Sequence, residues 1–129
     1  MDVKIDTKEK FTVLSPATAE LSANMTAELV DLLQSYMKKD IPHIILNMNN
    51  VAEVDLAVAQ KIAETQQLFY ENNYSFVICA LQDPVEKLFD DNELLETMNV
   101  TPTESEAWDI VQMEEIEREL LGDFGEDET

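Results

Sequence analysis

Few side chains in this sequence could perform covalent chemistry. The single cysteine, Cys79, ends the apolar run Phe76-Val77-Ile78-Cys79, and the single histidine, His43, opens another apolar run. A thiol becomes a nucleophile when a nearby base removes its proton, so a Cys-His pair is one chemical possibility. No motif connects the two residues, and a buried structural cysteine is the favoured interpretation of Cys79. One unpaired thiol also agrees with a reducing compartment.

The many acidic residues do not form a pattern that predicts catalysis or metal binding. General acid–base chemistry needs two carboxyl groups in different environments, so that their pKa values separate. Here the acids stand beside one another on polar stretches. The densest pairs and clusters are Asp90-Asp91, Glu114-Glu115 and Asp123 with Glu126, Asp127 and Glu128. They lack the spacing and the central glycine of a calcium loop, and no His/Cys spacing predicts a zinc site.

Glycine is absent from the body of the chain, where it occurs only at Gly122 and Gly125. Phosphate-binding loops of the dinucleotide and P-loop kinds need glycines that let the backbone approach the phosphate. We therefore predict no catalytic residues, no metal and no cofactor, and we expect a protein that is not an enzyme.

The net charge of −20 is unevenly distributed, and residues 101–129 alone contain 11 Asp/Glu and one Arg. Such a negative field repels nucleic-acid phosphate and anionic lipid, and it favours basic protein partners. No apolar run approaches the roughly 20 residues that span a bilayer. The sequence thus predicts a cytoplasmic protein that binds another protein, with neither nucleic acid nor membrane among its partners.

The elements that must position these residues follow from hydrophobic periodicity. Apolar residues at spacings of three and four predict helices, and short continuous apolar runs predict buried strands. The predicted elements are strands at 3–5, 11–14 and 20–22, a helix at 25–38, a strand at 43–48, a helix at 56–72, a strand at 74–81, and helices at 83–89, 92–98 and 104–121. The alternation after residue 43 favours parallel strands with right-handed crossovers, behind an antiparallel opening hairpin.

This order of elements resembles the STAS domain of bacterial anti-sigma factor antagonists over residues 2–112. The residues that carry the resemblance are Ala27–Leu33, His43–Met48, Val54–Ala59, Tyr74–Cys79, Pro84–Phe89 and Glu104–Trp108. The resemblance implies a single-domain α/β fold with a central mixed sheet of four to five strands, covered by about four to five helices. It also implies a role in bacterial signalling and transcription regulation. The implied partner is an anti-sigma factor or a serine-kinase-like regulator.

The family signature Asp-Ser-Ser-Gly is altered in this chain to Asp55-Leu56-Ala57-Val58. In antagonists of this family a partner phosphorylates the serine after the aspartate, which adds roughly −1.5 to −2 charges and breaks the complex. Leu56 has no hydroxyl group and cannot accept a phosphoryl group. Two interpretations stay open, namely constitutive partner binding with Leu56 as an apolar contact, and another scaffolding use. We expect Val54, Asp55, Leu56, Ala57 and Val58 to bind the partner, with Asp55 also capping its helix.

The last helix continues beyond the resemblance, so we divide the chain into a domain at 1–112 and an acidic extension at 113–129. Ile110, Met113, Ile116 and Leu120 share one helical stripe, with Leu121 beside it. This stripe either folds back on the sheet or forms an interface through Ile116, Leu120, Leu121 and Phe124. A structural subunit or homodimer assembled through this helix is one functional alternative, and a small-molecule-binding STAS domain is another. Residues 122–129 are predicted to be a frayed acidic tail.

Overall fold

The computed structural model describes the backbone of residues 1–127 and the side chains of residues 1–121, which form a five-stranded sheet between two layers of helices. The strands are β1 (Val3–Thr7), β2 (Thr12–Pro16), β3 (Glu20–Leu21), β4 (Ile44–Asn47), β5 (Glu53–Val54), β6 (Phe76–Cys79) and β7 (Val100–Thr101). The helices are α1 (Thr26–Ser35), α2 (Leu56–Glu71), α3 (Asp83–Asp91) and α4 (Glu104–Asp127), with 3-10 turns at Ala23–Met25 and Tyr36–Lys38.

The main sheet has the strand order β1-β2-β4-β6-β7. Strand β1 pairs with β2 in antiparallel orientation, and every other neighbouring pair is parallel. A single α/β domain with a mixed five-stranded sheet is therefore confirmed. The short strands β3 and β5 form a separate parallel pair outside this sheet.

The two faces of the sheet are covered by different helices. Leu14, Leu46 and Ile78 point to the face that packs against buried residues of α1, α2 and α3. Their neighbours Val13, Ile45 and Val77 point to the opposite face, as alternation along a strand requires. There they contact buried residues of α4, which are Ala107 and Val111. The prediction of central strands buried on both faces is confirmed.

The segment between α3 and α4 differs from the prediction. A helix was expected at 92–98, but the structure has turns there, followed by the short strand β7. Glu93 has a φ of 59°, in the left-handed region, which a right-handed helix cannot accommodate. Helix α4 also continues to Asp127, where a frayed tail was predicted from residue 122. No helix in the described part of the chain is long and apolar enough to cross a membrane.

Candidate functional site

The residues of the predicted partner-binding segment lie where β3 and β5 bring the starts of two helices together. Leu21 is paired with Val54 in this short parallel ladder, and the Asp55 N–H donates to the Leu21 carbonyl at 3.0 Å. β3 leads into the 3-10 turn before α1, and β5 leads directly into α2. The ladder therefore places the beginnings of both helical segments side by side at one end of the domain.

Asp55 connects these two helix starts through its side chain. Its Oδ2 atom accepts a hydrogen bond from the Ala23 N–H at 2.7 Å. Its backbone has the extended conformation of a residue before a helix, and its carbonyl accepts from Ala59, so α2 does begin here. The prediction that the carboxylate caps its own helix is wrong, because the β3–β5 ladder presents the Ala23 amide to it instead. Asp55 is thus part of the scaffold of the site.

Leu56 and Ala57 form the exposed part of the segment, and Leu56 leaves 39% of its surface in contact with solvent. Val54 is half-buried. Val58 is completely buried, so the prediction that it contacts a partner is wrong. It belongs to the inward stripe of α2 with Ala59 and Ile62, which faces the sheet by helical periodicity.

The electrostatic surroundings of Leu56 are acidic. Glu20 and Glu53 are exposed on the β3–β5 ladder, next to the exposed Asp55. The sequence has no lysine or arginine between Lys39 and Lys61. The surface therefore consists of an apolar side chain surrounded by carboxylates. Such a surface can bind an apolar group of a partner while its carboxylates pair with basic residues next to that group. It contains no nucleophile with an adjacent base.

The two residues with candidate nucleophilic chemistry lie at opposite ends of the sheet. His43 immediately precedes β4, whereas Cys79 ends β6 and is paired with Asn47 at the far end of β4. Four residues of strand correspond to roughly 13 Å. Burial, and secondarily the nearby Glu104 carboxylate, raises the pKa of the Cys79 thiol to about 12. Cys79 is therefore a buried apolar residue of the core, and a Cys-His pair is not formed.

His43 instead belongs to a polar cluster that joins α4 to the sheet. The Ser75 N–H donates to His43 Nδ1 at 3.0 Å, so the proton of the neutral ring lies on Nε2. Nε2 faces the Glu115 carboxylate at 3.2 Å. Arg118 donates to Glu115 and to the Ser75 hydroxyl, both at 3.0 Å. Burial, and then the Arg118 charge, lowers the pKa of His43.

This cluster was not predicted, although the sequence contains a signal for it. Glu115 and Arg118 continue the buried line of Ala107 and Val111 along α4, at spacings of four, four and three residues. An acid and a base at half-buried helical positions favour a polar partner beneath them. Among the described residues, no group of three or more His, Cys, Asp and Glu side chains is arranged to hold a metal ion.

The described residues of the predicted C-terminal interface do not contribute to the His43 cluster. Ile116, Leu120 and Leu121 are all exposed, as is Met113. The side chain of Phe124 lies outside the described residues. The predicted division of the chain after residue 112 falls inside the continuous helix α4.

Comparison with known families then identifies the fold. A family model for the STAS domain matches residues 2–107. The chain belongs to the STAS domain family. Its match ends within α4, so most of that helix lies beyond the STAS region.

Solved STAS structures are similar to this chain in fold, at low sequence identity. A candidate anti-sigma factor antagonist from Thermotoga maritima has 17% identity and a TM-score of 0.77, covering 85% of this chain and 94% of its own. An anti-sigma factor antagonist from Mycobacterium paratuberculosis has 16% identity and a TM-score of 0.73, covering 86% and 93%. The Bacillus cell fate determinant SpoIIAA, in its phosphorylated form, has 15% identity and a TM-score of 0.62, covering 85% and 99%.

Proposed function

We propose that this STAS domain is a non-catalytic interaction module of the anti-sigma factor antagonist type. Its partner is a regulatory protein, such as an anti-sigma factor or a serine-kinase-like regulator, and it contacts the exposed residues Leu56 and Ala57 beside Asp55. Binding does not depend on phosphorylation of the signature serine. The observation that carries the proposal is the exposure of Leu56 at the position where the signature of the family has that serine.

The local structure favours a preformed binding surface. The β3–β5 ladder and the hydrogen bond from Ala23 to Asp55 fix the position of the first turn of α2. Leu56 therefore presents its apolar side chain from a rigid element, and little conformational entropy is lost when a partner covers it. Exposed apolar side chains at the centre of an acidic surface are suited to contact with a partner that has an apolar pocket and basic surroundings.

The absence of a hydroxyl group at position 56 determines the mode of regulation. SpoIIAA has been solved in a phosphorylated form, and a phosphoserine at the start of a helix adds negative charge that can repel a partner. Leucine cannot undergo that modification. Phosphorylation at position 56 then does not control partner binding at this surface. The amount of complex depends on the concentrations of the two proteins.

A pull-down with a Leu56→Glu variant tests the proposal. The glutamate places a permanent negative charge where the family carries its phosphate. Glutamate in a first helical turn interacts favourably with the helix dipole by about 0.3 to 1 kcal/mol, so the variant should remain folded. Wild type and variant are used as baits in lysate of the source organism, and the captured proteins are quantified by mass spectrometry.

Ile41→Glu provides the matched control, because Ile41 is 42% exposed and precedes β4 at the opposite end of the domain. We expect one protein to be captured by wild type and by Ile41→Glu and to be lost with Leu56→Glu. Capture of the same proteins by all three baits would place the interface elsewhere and contradict the proposal.

A small-molecule role is less favoured by the surface. One groove of about 370 Å³ lies between α1 and α2, and one of about 460 Å³ lies beside α3 and β7. Both are open to solvent, and their walls include charged side chains such as Lys61, Glu64, Asp83 and Glu86. Ligand pockets typically enclose most of the ligand surface within apolar walls.

A further inference from the structure

Helix α4 has an apolar face on each side, and only one of them is covered by the domain. On the inner side, Ala107 and Val111 are completely buried against the sheet. Further along the same side, Glu115 and Arg118 bind His43 and Ser75. The inner side of the helix is therefore occupied by its own domain as far as Arg118.

The outer side of α4 carries a second apolar stripe, formed by Met113, Ile116 and Leu120. These side chains are 59%, 55% and 54% exposed. Their spacings of three and four residues place them on one helix face. At 100° per residue, that face is opposite the one that contains Val111 and Arg118. The stripe cannot pack on its own sheet without releasing the buried inner side.

The charge around this outer stripe has one sign. Residues 101–129 contain 11 Asp/Glu, and Arg118 is their only cationic residue. Arg118 is turned to the inner side, where it donates to Glu115 and Ser75. Glu117 and Glu119 are exposed near the stripe and leave its surroundings acidic.

This charge distribution selects between two possible occupants of the stripe. A second copy of α4 would bring two acidic helices together, and unpaired carboxylates within a Debye length of about 8 to 10 Å repel each other. A basic amphipathic helix would cover the apolar stripe and pair its cations with the flanking carboxylates. Charge complementarity thus favours a basic partner over self-association.

We propose that the outer stripe of α4, formed by Met113, Ile116 and Leu120, is a second docking surface that binds a basic amphipathic helix of a partner protein. The surface lies beyond the region that matches the STAS domain and does not include Leu56. It gives the chain two independent interfaces, one at the start of α2 and one on α4.

Binding of a model helix to the full chain tests this proposal. The probe is a labelled Leu/Lys peptide of about 18 residues with leucine at helical spacing, and fluorescence anisotropy reports its binding. A peptide of the same composition in scrambled order measures binding by charge alone. We expect the patterned peptide to bind more tightly than the scrambled one, and its affinity to decrease as salt is raised.

The double variant Ile116→Ser/Leu120→Ser should weaken binding of the patterned peptide by about tenfold or more, because two apolar contacts are lost. The matched control is Ile5→Ser/Ile41→Ser, which removes two similarly exposed isoleucines elsewhere and should leave the affinity unchanged. Equal affinity for wild type and the α4 double variant would overturn the proposal. A second result would also overturn it, namely a dimer in light scattering whose association strengthens with salt and which the α4 double variant abolishes. In that case a second copy of the chain would occupy the stripe.

This test is separate from the test of the proposed function. Leu56→Glu should bind the patterned peptide as wild type does, because Leu56 is not part of the outer stripe. A negative result in the peptide experiment would therefore contradict only the α4 proposal. A negative result in the pull-down with Leu56→Glu would contradict only the proposed Leu56 interface.

Discussion

The His43 cluster makes the stability of the domain depend on pH in a defined window. The pKa of His43 is lowered in the folded protein by burial and by Arg118, whereas an unfolded histidine titrates near 6.5. Below that pH, His43 is protonated in the unfolded chain but remains mostly neutral in the folded chain. The free energy of unfolding therefore falls as the pH falls. Protonation of Nδ1 would also replace the acceptor of the Ser75 N–H by a second donor.

The size of this effect has a physical ceiling. One proton gives a slope of at most about 1.4 kcal/mol per pH unit. Between pH 7.5 and pH 5.5, a histidine that stays neutral in the fold lowers the free energy of unfolding by at most about 1.4 kcal/mol in total. His43 is the only histidine in the chain, so few other groups titrate in this window.

The comparison of wild type with His43→Asn measures this contribution. An asparagine side-chain oxygen can take the place of Nδ1 as acceptor for the Ser75 N–H, but it does not titrate. Urea unfolding is followed at several pH values by the fluorescence of Trp108, which packs against Phe11 with ring centroids 5.2 Å apart. The stability of wild type relative to the variant should decrease as the pH falls from 7.5 to 5.5. A constant difference, or an increase, would refute the assigned protonation state of the cluster.

Two further substitutions probe the scaffold by urea unfolding. Gln66→Leu should lower the free energy of unfolding by about 2 to 4 kcal/mol, because the buried amide of Gln66 donates to the Phe76 carbonyl and accepts from the Asn99 N–H. A loss below about 1 kcal/mol would mean that water replaces these bonds. Asp55→Ala should cost about 1 kcal/mol through loss of the bond from Ala23, and Asp55→Asn should cost less because an acceptor remains. Equal losses in the two Asp55 variants would contradict this assignment.

The helices and central strands could be predicted because their signals are local. The inward stripe of α2, with Val58, Ala59 and Ile62, repeats at helical spacing, and the strand at 76–79 is a continuous apolar run. Strand β7 has only two residues and therefore no period. It exists because Val100 and Thr101 pair with Ile78 and Cys79, which are distant in the sequence.

The partner-binding role of the segment at 54–58 stays a prediction, and only part of its local structure could be predicted, for a similar reason. The segment at 54–58 was located from its resemblance to the STAS signature, and the structure shows which of its residues reach the surface. The acceptor role of Asp55 toward Ala23 depends on the β3–β5 ladder, which joins segments more than thirty residues apart. The residues that contact His43 and Ser75 from α4 are Glu115 and Arg118, and the hydrophobic pattern alone did not single them out.

Because α4 is the last element of the described fold, the sheet is synthesised before the helix that covers one of its faces. Every strand of the main sheet precedes α4 and leaves the ribosome before it. Until α4 follows, the face containing Ile45 and Val77 has no cover, and an apolar surface of this kind is open to chaperones and to aggregation. The contact between Phe11 and Trp108 joins residues 97 positions apart (108 minus 11). A chain that ends before α4 therefore has the residues of one core but lacks the helix that covers the other.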